Sequence, residues 1–375
     1  MKRVRQLGPY SLLYRVASGG MAEIYRAKIW SLGGEKEVAI KRLLPVYNHD
    51  DEFIVMLTDE ARITSLFDHP NIARVYEFGV VGGQHFLAME FIDGVDLRRV
   101  NRRLLEREER LGGIAATFIV EQALRGLHAA HEQCDENGRA QNIIHRDFTP
   151  SNIQIGYDGA VKLIDFGIAK AQLSRSRTQA GFIKGKVKYM SPEQTRSELL
   201  DRRSDVFSAG VVLYLESTGR LPFDADDDEE LIDLVRHGAY VAPSLLNAEL
   251  DDGFDDIVER ALAKDRDERY SSALEFAKAL ERWRDANAAY GVRDLGADVG
   301  RLFAQERLDD TRLFNSFVFD DDPTPTVERQ SYTRLVGLNS GGPTEITGVD
   351  IALEEEIGTK PGLPLDTTPV TDDAE

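Results

Sequence analysis

The sequence predicts an α+β chain with two unequal lobes, and three observations carry that expectation. Short runs with the two-residue alternation of strands dominate residues 10–92, whereas apolar spacing of three and four residues, the mark of helices, dominates residues 93–283. Inside the helical part lies one strand, turn, strand unit, IIHRDFTPSNIQIGYDGAVKLIDFG, from Ile143 to Gly167. At 375 residues the chain exceeds one average domain, so one two-lobed unit with extensions is the natural expectation.

The hairpin carries the chemistry. Asn152-Ile153-Gln154-Ile155 and Val161-Lys162-Leu163-Ile164 alternate around the turn Gly156-Tyr157-Asp158-Gly159. Asp147 and Asn152 stand just before the first strand and Asp165 just after the second, so three oxygen-bearing side chains can converge on one edge. That arrangement suits holding Mg2+ on a phosphate and accepting a hydroxyl proton. His145-Arg146-Asp147, then Asn152, then Asp165-Phe166-Gly167 resemble the catalytic and metal loops of eukaryotic-like serine/threonine protein kinases of the bacterial Hanks type. The resemblance implies the two-lobed protein kinase fold: a small antiparallel sheet with one main helix over 10–92, then a larger helical lobe over 93–283. It also implies ATP and Mg2+ as cofactors, with Asp147 orienting and deprotonating a substrate hydroxyl and Asn152 and Asp165 holding the metal.

After a short basic leader (1–9), Tyr10 to Arg15 and Glu23 to Lys28 read as strands around Ala17, Ser18, Gly19, Gly20, Met21 and Ala22. This resembles the kinase phosphate loop, with Ala17 and Ala22 where glycines are usual; small residues there let backbone N–H groups approach phosphates. Glu37-Val38-Ala39-Ile40-Lys41 resembles the strand whose lysine contacts the inner phosphates, and Glu60, inside a helical pattern over Phe53 to Phe67, the carboxylate that fixes that lysine. Ile24 and Ala39 are implied as pocket lining. Val75 to Val80 and Gln84 to Glu90 are the next strands. Met89-Glu90-Phe91-Ile92 resembles the linker between the lobes, with Met89 guarding the adenine pocket, backbone groups of Glu90 and Ile92 meeting adenine, and Asp96 accepting from a ribose hydroxyl. Taken alone, Met89 also fits a plain core position.

Leu97 to Leu111 and Ala115 to His131 read as helices, in which His128 and His131 are packing or capping residues. Between Ile168 and Met190 a polar segment carries Ser174, Ser176 and Thr178 among basic residues. It occupies the activation-segment position, so these three are candidate autophosphorylation sites, with Arg146 as the cation a phosphate would meet. Asp205, opening an apolar helix that runs to about Thr218, resembles the acid that braces the catalytic loop, and Arg269 the partner of Glu193 in Ser191-Pro192-Glu193. Apolar spacing from Leu274 to Trp283 predicts the last core helix, and 284–308 an appended amphipathic helix.

Charge and composition bound the rest. A net charge of -19 argues against nucleic-acid binding, and 15 Asp or Glu against 4 Lys or Arg fall in 309–375. That segment reads as a mostly disordered acidic tail whose threonines, among them Thr324, Thr326, Thr367, Thr368 and Thr371, are candidate sites for a phosphothreonine-reading partner or merely solubilise. The lone Cys134 fits a reducing compartment and a bland free thiol. The absence of a long apolar run and of a signal-peptide core leads to the expectation of a soluble, cytoplasmic protein without membrane insertion. The leading functional expectation is a serine/threonine kinase acting on proteins, because the catalytic loop lacks the Ala-Ala-Arg or Arg-Ala-Ala pattern of tyrosine kinases. Thr149 and Lys186 stand where lysine and threonine are usual, and with Ala17 and Ala22 they motivate a second reading, a nucleotide-binding pseudokinase scaffold acting through the tail. A small-molecule kinase fits less well, since the activation segment and Ser191-Pro192-Glu193 suit a protein substrate. The sequence says nothing of oligomeric state.

Overall fold

The computed structural model describes residues 5–31, 34–166, 187–315 and 332–335. Six early strands, β1 (Arg5–Leu7), β2 (Tyr10–Ser18), β3 (Ala22–Ser31), β4 (Gly34–Leu43), β5 (Val75–Val81) and β6 (Gln84–Glu90), form an antiparallel sheet in the order β1-β2-β3-β4-β6-β5. Alternation decides its two faces. Leu12, Val38, Ile40, Phe86 and Ala88 make one apolar layer, while Leu43, Phe78 and Leu87 on the opposite face pack against Phe53, Met56, Leu57 and Ala61 of helix α1 (Asp51–Thr64). α1 starts where Asp50 caps it by accepting from the Glu52 amide.

The helical lobe is built on α3 (Gly113–His131), α5 (Arg202–Thr218) and α9 (Ala273–Asn287), whose apolar faces share one core with α2 (Leu97–Glu106) and α8 (Asp252–Ala261). α2 stops earlier than its sequence pattern suggests, because Glu108 and Gly112 take positive φ and turn the chain. Short helices α4 (Pro192–Thr195), α6 (Asp228–His237) and α7 (Pro243–Leu246) fill the periphery. The hairpin expected between residues 143 and 167 is present as β8 (Ile153–Gly156) and β9 (Val161–Leu163), with β7 (Gly94–Asp96) added to make a three-stranded sheet.

The last part of the chain departs from expectation. The stretch 284–308, read as one appended helix, holds α10 (Val292–Leu302) and the start of α11 (Ala304–Asn315). Leu295, Val299, Leu302 and Phe303 are buried in the main core, so 283 is not the edge of the folded unit. α11 also runs past 309, and β10 (Tyr332–Leu335) pairs antiparallel with β5, which corrects the reading of 309–375 as a disordered tail for those residues. The acidic count misled at Asp310, which meets Arg26 of β3, and just before that segment Glu306 meets Arg103 of α2. The remaining residues of that segment, with Thr324, Thr326, Thr367, Thr368 and Thr371, lie outside the described residues.

α10 lies directly on the turn of the β8–β9 hairpin. A Cβ at Gly296 would stand 2.9 Å from the Asp158 carbonyl carbon and 3.0 Å from the Gly159 amide nitrogen, and backbone cannot give way as a side-chain tip can. Gly296→Ala should therefore lower unfolding free energy by about 1–3 kcal/mol. Gly300→Ala on the same helix, where a Cβ meets nothing within 4 Å, should be neutral or stabilising. Urea unfolding of both variants checks the difference, and equal effects would refute this packing.

Candidate active site

The site forms where the sheet faces the hairpin. Lys41 points from β4 toward α1 and donates to Glu60 Oε1 at 2.7 Å and Oε2 at 2.9 Å, and also to Asp165 Oδ1 at 2.7 Å. Lys41 and Glu60 are buried. Burial alone would discharge the ammonium, but Asp165 and Glu60 outweigh it and hold Lys41 above its ordinary pKa. Glu60 is pushed up, by burial first; Lys41 opposes the shift and the Asp165 charge adds to it.

Across the cleft, Asn152 Nδ2 donates to the Asp147 carbonyl at 2.8 Å and to Asp147 Oδ2 at 3.1 Å. Both bonds use the amide nitrogen, which leaves Asn152 Oδ1 as an atom that could meet a hard cation. Asp165 supplies a carboxylate beside it in sequence register, since the Ile164 amide donates to the Asn152 carbonyl at 3.0 Å. No cluster of three or more His, Cys, Asp or Glu side chains able to hold a metal occurs among the described residues. One amide and one carboxylate fit a cation completed by phosphate oxygens and water rather than a closed protein cage.

The loop bearing Asp147 is held in a costly shape. Arg146 has φ 65° and Asp165 φ 53°, both left-handed. Asp205 compensates the first: its Oδ2 accepts from the His145 amide at 2.7 Å and its Oδ1 from the Arg146 amide at 2.8 Å. His131 Nε2 lies 2.8 Å from the same Oδ2. Burial would raise the Asp205 carboxyl, but these contacts keep it below the ordinary carboxylate range. Phe166 packs its ring 4.8 Å from Phe67 and 4.6 Å from His145, centroid to centroid, which pins the residue after Asp165. Farther down, Arg269 donates to both oxygens of Glu193 at 2.8 and 3.0 Å, and Ser204 donates to Glu193 as well. Gln194 then donates to the Arg146 carbonyl at 3.1 Å, tying this pair to the catalytic loop.

A protein kinase domain model matches residues 10–282. The chain belongs to the protein kinase family. It is 37% identical over 303 residues to the tyrosine-protein kinase MasK of Myxococcus xanthus, covering 80% of this chain and 47% of that protein. It is 33% identical over 311 residues to the serine/threonine-protein kinase PrkC of Bacillus subtilis, covering 82% of this chain and 42% of that one. The chain thus spans less than half the length of these relatives. The PknI kinase domain of Mycobacterium tuberculosis shares the fold, with TM-score 0.55 at 23% identity over 75% of this chain and 98% of that one.

The kinase sheet gathers the expected pocket residues by register. Ala17, Ile24, Lys41 and Leu87 form one cross-strand row, and Arg26, Ala39 and Met89 the next row on the same face. Neither Ala17 nor Ala22 has positive φ, so alanine sits at these positions without backbone strain. Gly19 closes the loop by donating to the Ala22 carbonyl at 2.8 Å, while the Met21 side chain turns away into the cluster around α1. Ser18 ends β2, and Gly20 lies between the strands. The Glu90 amide is taken by the Arg74 carbonyl at 2.8 Å and is thus not available to a base. Ile92 follows in the half-buried linker. Asp96 caps α2 through the Arg99 amide at 2.9 Å, which uses one of its two oxygens. Thr149 is buried with its hydroxyl 2.9 Å from Ser151 Oγ. Gly167, Ser174, Ser176, Thr178 and Lys186 lie outside the described residues.

Two functional contacts escaped sequence reasoning. His131 reads as helix packing, yet it completes the Asp205 brace; its signal was a histidine at the end of a helix otherwise lined by apolar residues. Gln194 follows Glu193 as an ordinary polar residue, and only the fold shows it reaching Arg146. The stabilising part of the Asp205 cluster is complete above about pH 4 and is lost as pH falls through the lowered native value. Asp205→Asn should lower stability at pH 7 by about 3 kcal/mol, since it leaves an amide nitrogen facing backbone donors, and should flatten the acid side of the stability curve. Urea titrations between pH 3 and 7 measure both.

Proposed function

We propose that the chain is an ATP- and Mg2+-dependent protein kinase that transfers the γ-phosphoryl group to serine or threonine hydroxyls of proteins. The observation that carries this reading is the intact Lys41, Glu60 and Asp165 cluster standing opposite Asp147 and Asn152. In this reading Lys41 aligns the inner phosphates, Asn152 Oδ1 and Asp165 hold Mg2+, and Asp147 accepts the hydroxyl proton as the oxygen attacks phosphorus. Positioning and charge stabilisation supply the rate. What supports this over the pseudokinase reading is that neither Ala17 nor Ala22 takes a positive φ and that Lys41, Glu60, Asp147, Asn152 and Asp165 are all retained.

Serine or threonine is favoured over tyrosine by the catalytic-loop sequence DFTPSN, from Asp147 to Asn152, against the tyrosine-kinase name of one relative. Autophosphorylation of Ser174, Ser176 or Thr178 is part of the proposal. Its support is Arg146, whose Nε is buried without a hydrogen-bond partner among the described residues, as a cation awaiting an anion would be.

Radiolabelled ATP transfer to the chain itself and to a generic protein tests the reading. Label should appear on serine or threonine after acid hydrolysis and fall at least about a hundredfold in Asp147→Asn. Label confined to tyrosine would overturn the residue preference. Equal label in the variant would overturn the kinase assignment.

A further inference from the structure

Beyond residue 282, where the family match ends, α11 crosses from one lobe to the other beside the linker that joins them. Its first turns belong to the helical lobe. Glu306 pairs with Arg103, and Arg307 lies over the Tyr157 ring at 5.0 Å; just before them the Leu302 carbonyl, at the end of α10, accepts from Arg107 at 3.2 Å. Its last turns belong to the sheet. Asp310 accepts from Arg26 at 3.1 Å, and the Phe314 ring lies 4.4 Å from the Arg26 guanidinium and 4.5 Å from the Lys28 ammonium.

Arg26 is the focus of this arrangement. Its guanidinium lies 4.5 Å from the ring of Phe91, the residue after Glu90 in the linker, as well as against Phe314. Glu37 accepts from its Nε at 3.0 Å and its Nη2 at 2.7 Å, and the Tyr14 hydroxyl accepts from its Nη1 at 2.9 Å. By register Arg26 shares a cross-strand row with Ala39 and Met89, the wall against which a nucleotide base would lie. An arginine there is unusual for an apolar wall. It is tolerated because two carboxylates, one hydroxyl and two rings take up its charge. Three of those five groups, Asp310, Phe314 and Phe91, come from α11 and the linker.

We infer that Arg26, clamped between Phe91 and the α11 residues Asp310 and Phe314, is a positioning residue for nucleotide binding, so that the C-terminal helix completes the ATP site. The clamp does two things. It draws a long cationic side chain out of the cleft, and it fixes the linker against both lobes, so the wall at Ala39 and Met89 is set before nucleotide arrives. Phe314 and Asp310 act through Arg26 and need no contact with the ligand.

The inference rests on the kinase reading, and the test separates the two. In the full chain, calorimetric binding of Mg2+ with a non-hydrolysable ATP analogue is measured for the unmodified protein, Phe314→Ala, Phe314→Trp, Arg26→Lys and the double variant Phe314→Ala with Arg26→Lys, alongside KM for ATP and kcat. Phe314→Ala and Arg26→Lys should each weaken analogue binding by about three- to tenfold, with the loss in KM rather than kcat. Phe314→Trp should bind like the unmodified chain. The double variant should be no weaker than the poorer single one, because the residues act as a unit. Should one single variant fail to fold, the other carries the test from its own side. Equal binding in the unmodified chain and the single variants, or additive losses in the double, would overturn the inference alone. No analogue binding by the unmodified chain would overturn the kinase reading and this inference with it.

Discussion

One ammonium shared by two carboxylates is the constraint on which the rest of the structure depends. Lys41 reaches Glu60 on α1 and Asp165 beyond β9 at once, so the sheet, its helix and the catalytic hairpin must all be in register for the cluster to close. The two acids hold Lys41 charged against its burial, while Glu60 is pushed up by burial first and by the Asp165 charge after it. A cation held by Asp165 would leave Glu60 as the anchor of Lys41.

Holding these groups in place costs backbone strain, and the helical lobe carries that cost through a chain of buried polar contacts. Asp205 satisfies the amides beside Arg146, His131 steadies Asp205, and Gln194 takes the Arg146 carbonyl. Gln194 is itself positioned by the capping box with Ser191 at the start of α4, next to the Glu193 and Arg269 pair. Asp205 and His131 are buried and Gln194 half-buried, and losing one link strands its neighbour, so the catalytic loop is rigid because the lobe beneath it is.

Much of this was legible in the sequence for reasons that can be stated locally. The hairpin announced itself by alternation and a glycine turn, and Asp147, Asn152 and Asp165 by their places at its ends. Lys41 and Glu60 required the resemblance, because nothing in residues nineteen apart shows that a helix will turn a carboxylate onto a strand. The C-terminal segment was misjudged. Its acids counted as solvating charge, whereas Asp310 pairs with Arg26, which is distant in sequence. Gly296 gave no local signal at all, because its small size matters only against the backbone of another element. Composition describes a segment in isolation, and these residues are defined by what they touch.

The account turns on Glu60 placing Lys41, and Glu60→Gln tests it with little change of volume. Single-turnover transfer from ATP is the measurement, with the melting temperature followed alongside. If Glu60 fixes the ammonium, transfer should fall by about a hundredfold while the protein still melts cooperatively. Transfer at the unmodified rate would contradict the account, since Lys41 would then be in place without the partner that the structure assigns to it.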